Sequence, residues 1–228
     1  MQIAFLNLRN LAFAKNTFLQ YMAERSFDDF DAYARDYRSI HTVNIKISGA
    51  DSFYFAEMKV KLLQQFEKNI PLKILDVGCG DGTTEVFMNK HFPAWEITAI
   101  DVSEKSIVEA KSKNIIKTDF NIYNGNDILF SSDSFDVVFM AGVLHHIGFS
   151  LHNHIIKEVN RVLKQDGRFY FFEHNPFNPL TRHLVNTCVF DKKAKLLKSS
   201  YTERLLRKNN FVVNKKTSLF FSKKRNFI

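Results

Sequence analysis

Apolar positions along the chain change their period several times, and each change marks an element. Residues 1–27 are apolar and poor in acids, with Arg9, Lys15 and Arg25 the only basic residues and Glu24 the first acid. This stretch reads as a helix lying over the domain, and it has too little Arg and Ser for a targeting peptide. Residues 28–50 read as a polar connector. From Ser52 to Glu67, Phe55, Met58, Leu62, Leu63 and Phe66 recur at helical spacing, and Pro71 punctuates the chain before a strand. The pattern divides the chain into an N-terminal helical extension, 1–50, and an organised domain, 51–228.

From Leu72 onward the pattern alternates. A strand at Lys73–Val77 is followed by a Gly-rich turn and a helix at Thr83–His91, then a strand at Glu96–Asp101 and a helix at Glu104–Lys113. Further strands fit Phe120–Tyr123 and Phe135–Met140, the latter a continuous apolar run of the kind buried on both faces of a parallel sheet. Ile155, Val159 and Val162 line one side of a helix, Asp166 and Gly167 turn the chain, and Arg168–Glu173 forms an aromatic-rich fifth strand. Pro176 and Pro179 break the chain after it, a helix at Thr202–Lys208 follows, and Phe211–Phe221 is β-prone. Such alternation predicts an α/β fold, a doubly wound and mostly parallel sheet with helices on both faces.

Composition narrows the class further. With 228 residues, 45% hydrophobic and 25% charged, the chain fits one globular domain with a small appendage and is not disordered. No apolar run reaches the roughly 18 residues a membrane span needs. Cys79 and Cys188 are the only cysteines, and with no CxxC pair and no secretory signal they point to a reducing, cytoplasmic setting. The net charge of +8 is uneven, −4 over residues 1–160 and +12 over 161–228. Lys192, Lys193, Lys195, Lys198, Lys215, Lys216, Lys223, Lys224 and Arg225 would form a surface for nucleic acid or anionic lipid. They are not interleaved with aromatics as a stacking platform needs, so a solvated basic face is the favoured reading and nucleic acid a disfavoured partner. A phosphate-bearing small substrate lies between the two.

The chemistry is concentrated in Ile74-Leu-Asp-Val-Gly-Cys-Gly-Asp-Gly82, an apolar strand running into Gly78, Gly80 and Gly82 and then a helix. Glycine there accepts positive φ and lets a ligand approach the backbone. Asp101 ends the next strand, 19 residues after Gly82, where a carboxylate can accept two ribose hydroxyls, so a nucleoside-type cofactor is implied. A dinucleotide fingerprint is spaced G-x-G-x-x-G, whereas here it is G-x-G-x-G preceded by Asp76. An acid beside the turn repels pyrophosphate and suits a cationic ligand such as a sulfonium or ammonium.

These residues resemble the class I S-adenosylmethionine-dependent methyltransferases, whose first motif is an acid followed by G-x-G-x-G after strand one. The resemblance covers residues 50–222 and implies a Rossmann-like fold with S-adenosylmethionine as cofactor. It places Asp76, Gly78, Cys79, Gly80 and Gly82 around the cofactor and gives Asp101 the ribose. Val102 would flank the base, Asn126 and Asp127 would meet the adenine with Asp127 at its amino group, and Met140 and Ala141 would lie beside the cofactor. Glu173-His-Asn-Pro-Phe-Asn-Pro-Leu-Thr-Arg182, with Cys188, Phe190 and Asp191, is similar to segments of bacterial methyltransferases linked to surface-polysaccharide or sugar modification. Those proteins continue to a final antiparallel strand, which here would be missing or abbreviated.

An activated sulfonium needs little from the protein beyond alignment of the acceptor and removal of its proton. His145 and His146 end the fourth predicted strand, and Glu173 and His174 the fifth, at the sheet edge where open α/β folds bind ligands. His146 and His174 are the favoured bases, with Glu173 holding the acceptor or orienting His174. His145, His146, His152 and His154 lack the i, i+4 pair and flanking acid of a helical zinc site, so no metal is expected. The expected activity is methyl transfer to a small molecule, preferably a sugar or glycan hydroxyl. The alternatives are an RNA methyltransferase using the basic C-terminal region and a non-catalytic cofactor-binding protein.

Overall fold

The computed structural model describes residues 51–188, 191 and 193–214. The helix expected at 1–27 and the connector after it lie outside the described residues, as does most of the β-prone stretch 211–221. The elements run α1 (Ser52–Leu63), β1 (Lys73–Val77), α2 (Thr83–His91), β2 (Glu96–Asp101), α3 (Glu104–Ser112), β3 (Thr118–Ile122) and β4 (Phe135–Ala141). A short 3₁₀ turn, Leu144–His146, is followed by α4 (Phe149–Val162), β5 (Leu163–Phe172), α5 (Pro179–Thr187) and α6 (Ser199–Lys208).

The five strands form one sheet in the order β3-β2-β1-β4-β5, every pair parallel. The chain starts in the middle and winds outward in both directions, so the order reverses between β1 and β4. At that point two connections leave opposite faces and open a crevice at the carboxyl ends of the strands. The doubly wound expectation is met.

Alternation within the central strands sorts their side chains onto two faces. Ile74, Ala99, Val137 and Phe139 pack with Val60 and Leu63 of α1, Met88 of α2 and Ile107 of α3. Leu75, Val77, Ile100, Val138 and Met140 pack with Ile155, Val159 and Val162 of α4. A smaller cluster of Leu144, Ile156, Leu197 and Leu205 docks α6 on α4. Between α1 and β1, the buried Glu67 receives the guanidinium of Arg168 and the Tyr170 hydroxyl, the latter at 2.5 Å, and so ties this connection to β5.

Three expectations need correction. Pro179 starts a helix instead of breaking the chain, because its ring sits in the first turn and the Asn178 side chain caps the Leu180 and Thr181 N–H groups at 2.9 and 3.3 Å. Asp166 and Gly167 lie within β5, in a register irregularity between Phe135↔Leu163 and Val137↔Arg168. Residues 211–214 adopt no strand.

Candidate active site

The turn after β1 carries three glycines at positive φ, yet they face different surroundings. A Cβ on Gly78 would fall 2.3 Å from Val143 Cγ2, and one on Gly82 2.9 Å from Ala110 Cβ and Phe120 Cζ. These two positions are small because the turn packs against its neighbours. Gly80, at φ +54°, has no heavy atom within 4 Å of a Cβ position and faces open space. It is the glycine that leaves room for a ligand.

Hydrogen bonds hold the turn in place before any ligand arrives. The Gly78 and Cys79 N–H groups donate to the Ile100 carbonyl at 2.7 and 3.2 Å. Asp101 accepts from the Gly80 N–H at 2.8 Å and from the Ser103 N–H at 2.8 Å. The proposed ribose acid therefore also fixes the glycine that borders the open space. Asp81, which the sequence reading passed over, is buried and binds the Thr83 hydroxyl at 2.9 Å and the Lys113 ammonium.

Beneath the turn lies a pair of carboxyls. Asp76 is 2% exposed and faces Glu85 of α2, which is wholly buried. Asp76 Oδ1 and both Glu85 oxygens find no other protein hydrogen-bond partner. Burial pushes Asp76 up to about 7, with the Asp101 charge adding to the rise and the Glu85 proton and Lys59 opposing it. Burial also drives Glu85 well up, reinforced by the neighbouring Asp76 charge, so the two carboxyls resist being ionised together. Glu85 escaped the sequence reading because an acid in the first turn of a helix is ordinarily a solvated one.

Other expected cofactor positions divide. Met140 is fully buried in the core and its side chain presents no surface to a ligand, which corrects that expectation; Ala141 keeps part of its surface. The Cys79 side chain is likewise packed into the core, with its thiol pushed well up by burial, so only its backbone belongs to the turn. Val102 is partly buried against the α4-side core. Asn126 and Asp127 follow β3 in a turn made by Asn124, whose Oδ1 accepts both their N–H groups at 2.8 and 2.9 Å. Asp127 pairs with His154 of α4 at 3.0 Å, both half-exposed.

The histidines separate by role. His152 is structural: its ring is buried and spans the Tyr201 hydroxyl and the Ile147 carbonyl, each at 2.9 Å. His145, His146 and His174 instead gather at the ends of β4 and β5, with the His145 ring 4.1 Å from that of His146 and 4.9 Å from that of His174. Glu173 accepts from the Leu144 N–H at 2.8 Å and meets His145 Nδ1 at 2.5 Å. It orients His145, and not His174 as expected. Asp191, from the segment after α5, lies 3.4 Å from His146 Nε2 and 3.9 Å from His145 Nε2. Burial would lower His145, but Glu173 and Asp191 outweigh it and raise it to about 9. Burial and the neighbouring His145 charge push His146 down to about 3. Asp191 was noted in the sequence only within a resembling segment, and no spacing rule linked it to histidines some 45 residues earlier.

The two halves of the site adjoin. Gly78 of the cofactor-side turn abuts Val143, one residue before the 3₁₀ turn that carries the histidine pair. A glycine-floored opening thus stands beside a cluster of imidazoles and carboxylates at the switch point of the sheet. Comparison with known proteins identifies the arrangement: residues 74–167 match the methyltransferase domain family. Residues 74–167 carry a methyltransferase domain.

Among curated proteins, the methyltransferase domain is 31% identical over 119 residues to the uncharacterized methyltransferase YcgJ of Bacillus subtilis, covering 50% of this chain and 46% of that one. It is 31% identical over 108 residues to the demethylmenaquinone methyltransferase of Thermotoga maritima, covering 47% and 46%. It is 28% identical over 137 residues to the malonyl-[acyl-carrier protein] O-methyltransferase of Herminiimonas arsenicoxydans, covering 58% and 50%. The chain spans about half the length of these relatives. The crystal structure of YcgJ superposes with a TM-score of 0.55 at 24% identity, covering 67% of each chain, and supports the fold.

S-adenosylmethionine is the cofactor of such domains, and the residues present fit it. Gly80 leaves the opening a ligand would fill, and the Asp101 carboxylate stands at its rim, where it can accept hydroxyls and suits a ligand that brings positive charge. No helix among the described residues is long and apolar enough to cross a membrane.

Proposed function

We propose that the protein transfers a methyl group from S-adenosylmethionine to an oxygen of a small molecule. The observation that carries this reading is that the glycine turn abuts the histidine segment at the β1/β4 switch point, Gly78 against Val143, one residue before the 3₁₀ turn that carries His145 and His146. In the cofactor half, Asp101 would take the ribose hydroxyls, Val102, Asn126 and Asp127 would border the base, and Ala141 with the glycine turn would border the methionine part. When bound, S-adenosylmethionine supplies an activated methyl group, and the chain supplies alignment and a place for a proton.

Of the two histidines expected as bases, we assign proton acceptance to His174. Its surface reaches solvent, so it can hand its proton on, although burial of the ring and the His145 charge push it down to about 4; His146 is largely covered and pinned beside Asp191. His145, held by Glu173 on one nitrogen with Asp191 facing the other, serves to order the pocket. The relatives that act on demethylmenaquinone and on malonyl-[acyl-carrier protein] support a small-molecule acceptor. Neither is a sugar, so the sugar or glycan hydroxyl stands as one acceptor class to be tested beside a quinone precursor and a carboxylate on a carrier. A phosphate on the acceptor would suit the basic charge of residues 161–228.

Isothermal titration with S-adenosylmethionine, S-adenosylhomocysteine and NAD tests the cofactor, followed by methyl-transfer assays on sugar, quinol, acyl-carrier and RNA acceptors. Selective binding of the adenosyl ligands with turnover on a small acceptor is the expected result. Binding without turnover on any acceptor would leave a cofactor-binding protein, and salt-sensitive RNA binding with RNA methylation would transfer the reading to nucleic acid.

A further inference from the structure

The carboxyl ends of β4 and β5 bring together more ligating groups than proton transfer alone requires. One ligand atom each from His145, His146 and Asp191 lies within 4.8 Å of the other two. Asp191 Oδ1 stands 3.4 Å from His146 Nε2 and 3.9 Å from His145 Nε2. Tetrahedral zinc, with metal–ligand bonds of about 2.0–2.2 Å, sets neighbouring ligand atoms about 3.3 Å apart. The His146–Asp191 separation already matches, the His145–Asp191 separation is about half an ångström longer, and the histidine ligand atoms, within 4.8 Å of each other, would close on the ion.

The surroundings are those of a metal ligand set. Glu173 takes His145 Nδ1 at 2.5 Å, which fixes the ring so that Nε2 points away from the carboxylate toward Asp191. A carboxylate on the far nitrogen is the usual outer partner of a ligating histidine. His145 Nε2 is buried and has no hydrogen-bond partner, and His145 itself is only 2% exposed. The backbone is fastened on both sides, by Leu144 N–H to Glu173 and by Lys195 N–H to the His145 carbonyl at 2.8 Å. Asp191 is held by its own N–H to the Cys188 carbonyl at 3.2 Å and by the Ala194 N–H to its carbonyl at 2.9 Å.

We propose that His145, His146 and Asp191 bind a zinc-class divalent cation, with Glu173 as the outer partner of His145. Two imidazoles and one carboxylate make a borderline N₂O donor set that zinc accepts, and three protein ligands leave a fourth position open. This replaces the expectation of no metal, which was drawn from a different grouping that included His152 and His154. Those two residues are engaged elsewhere, with Tyr201 and Ile147 and with Asp127.

The role of the cation rests on the methyltransferase reading, but its binding does not. In the open position it would take the acceptor oxygen and lower that oxygen's affinity for its proton. The hydroxyl proton passes to His174, an oxygen electron pair forms the new O–CH₃ bond, and the CH₃–S⁺ bond breaks with its pair going to sulfur. S-adenosylhomocysteine then leaves as a neutral thioether.

The test uses the full chain, stripped with a chelator and titrated with Zn²⁺ against a chromophoric competitor, and separately with Co²⁺ to read visible absorption. One equivalent of Zn²⁺ per chain is expected, with an intense tetrahedral cobalt band. Asp191→Asn and His145→Gln should each weaken binding by more than about 100-fold, and Glu173→Gln by roughly 10–100-fold. His183→Ala, at an exposed position of α5, should bind as the wild type does. No stoichiometric metal, or unchanged affinity in Asp191→Asn, overturns the site and leaves His145 as a protonated bridge between carboxylates. Asp191→Asn keeps the backbone anchors, so it remains informative if the buried His145 variant fails to fold. Zinc binding without S-adenosylmethionine binding would support this site while removing the methyltransferase reading, and the reverse result would do the opposite.

Discussion

Glu173 Oε2 stands 2.5 Å from His145 Nδ1 while Glu173 Oε1 accepts the Leu144 N–H, so one carboxylate fixes both the backbone and the ring at the end of β4. Replacing it by Gln keeps an acceptor for Leu144 but removes the charge facing the imidazole. Glu173→Gln should lower kcat/KM by roughly 10–100-fold while leaving the calorimetric affinity for S-adenosylmethionine unchanged. A parallel loss of cofactor affinity would mean that Glu173 shapes the turn and not the acceptor side.

Asp101 joins the two halves of the cofactor cradle through its bonds to Gly80 and Ser103. Asp101→Ala should weaken S-adenosylmethionine binding by roughly 1.5–3 kcal/mol, the worth of hydrogen bonds to a charged group, or about 10- to 100-fold in Kd. Unchanged affinity in calorimetry would remove the ribose assignment.

Gly78 and Gly80 should respond differently to the same methyl group. At Gly78 the new Cβ falls 2.3 Å from Val143 and the residue keeps φ +82°, so Gly78→Ala should lower stability by roughly 2–4 kcal/mol. At Gly80 space is open, and Gly80→Ala should cost only about 1 kcal/mol for its φ of +54° while depressing cofactor affinity. Thermal unfolding of the two variants, with and without cofactor, checks both statements.

The carboxyl pair gives stability a definite pH dependence. Asp76 rises to about 7 in the folded protein from its ordinary 3.8, so the folded state binds this proton more tightly than the unfolded chain. The associated stability is complete below about pH 4 and is lost as pH climbs through 7. Burial, with the Asp101 charge, opposes ionisation of Asp76, and the hydrogen bond from Glu85 and the Lys59 charge favour it. Asp76→Asn should match the wild type near pH 4 and exceed it by roughly 1–3 kcal/mol at pH 8, since each shifted pKa unit is worth about 1.4 kcal/mol. Equal unfolding free energies of Asp76→Asn and the wild type at pH 8, measured by denaturant titration, would show that Asp76 does not hold a proton in the folded state.

The two histidines expected as bases should also part company. His174→Ala should lower turnover by roughly 10²–10⁴-fold, the range for loss of a general base, with S-adenosylmethionine binding intact. Full activity in this variant would withdraw the assignment of the proton to His174.

The local pattern was enough to determine the parallel sheet, the positions of its strands and the cofactor-side turn. Continuous apolar runs such as Phe135–Met140, glycines at fixed offsets and Asp101 nineteen residues beyond Gly82 are features of neighbouring residues, and the backbone geometry they require is set within a few turns of chain. Pro179 was misread because a proline that interrupts the chain after a strand can equally begin a helix, and the deciding signal was the capping Asn178 one residue before it.

Tertiary structure decided everything that depends on which residues meet across the fold. It paired Asp76 with Glu85, gave Glu173 to His145, and brought Asp191 to the histidine pair. It also sealed Met140 in the core and separated Gly80 from Gly78 and Gly82 by what each one faces. The physical reason is that charge, burial and ligand geometry act through space over a few ångströms, and only the winding of the sheet places residues from strand ends 28 positions apart within that range.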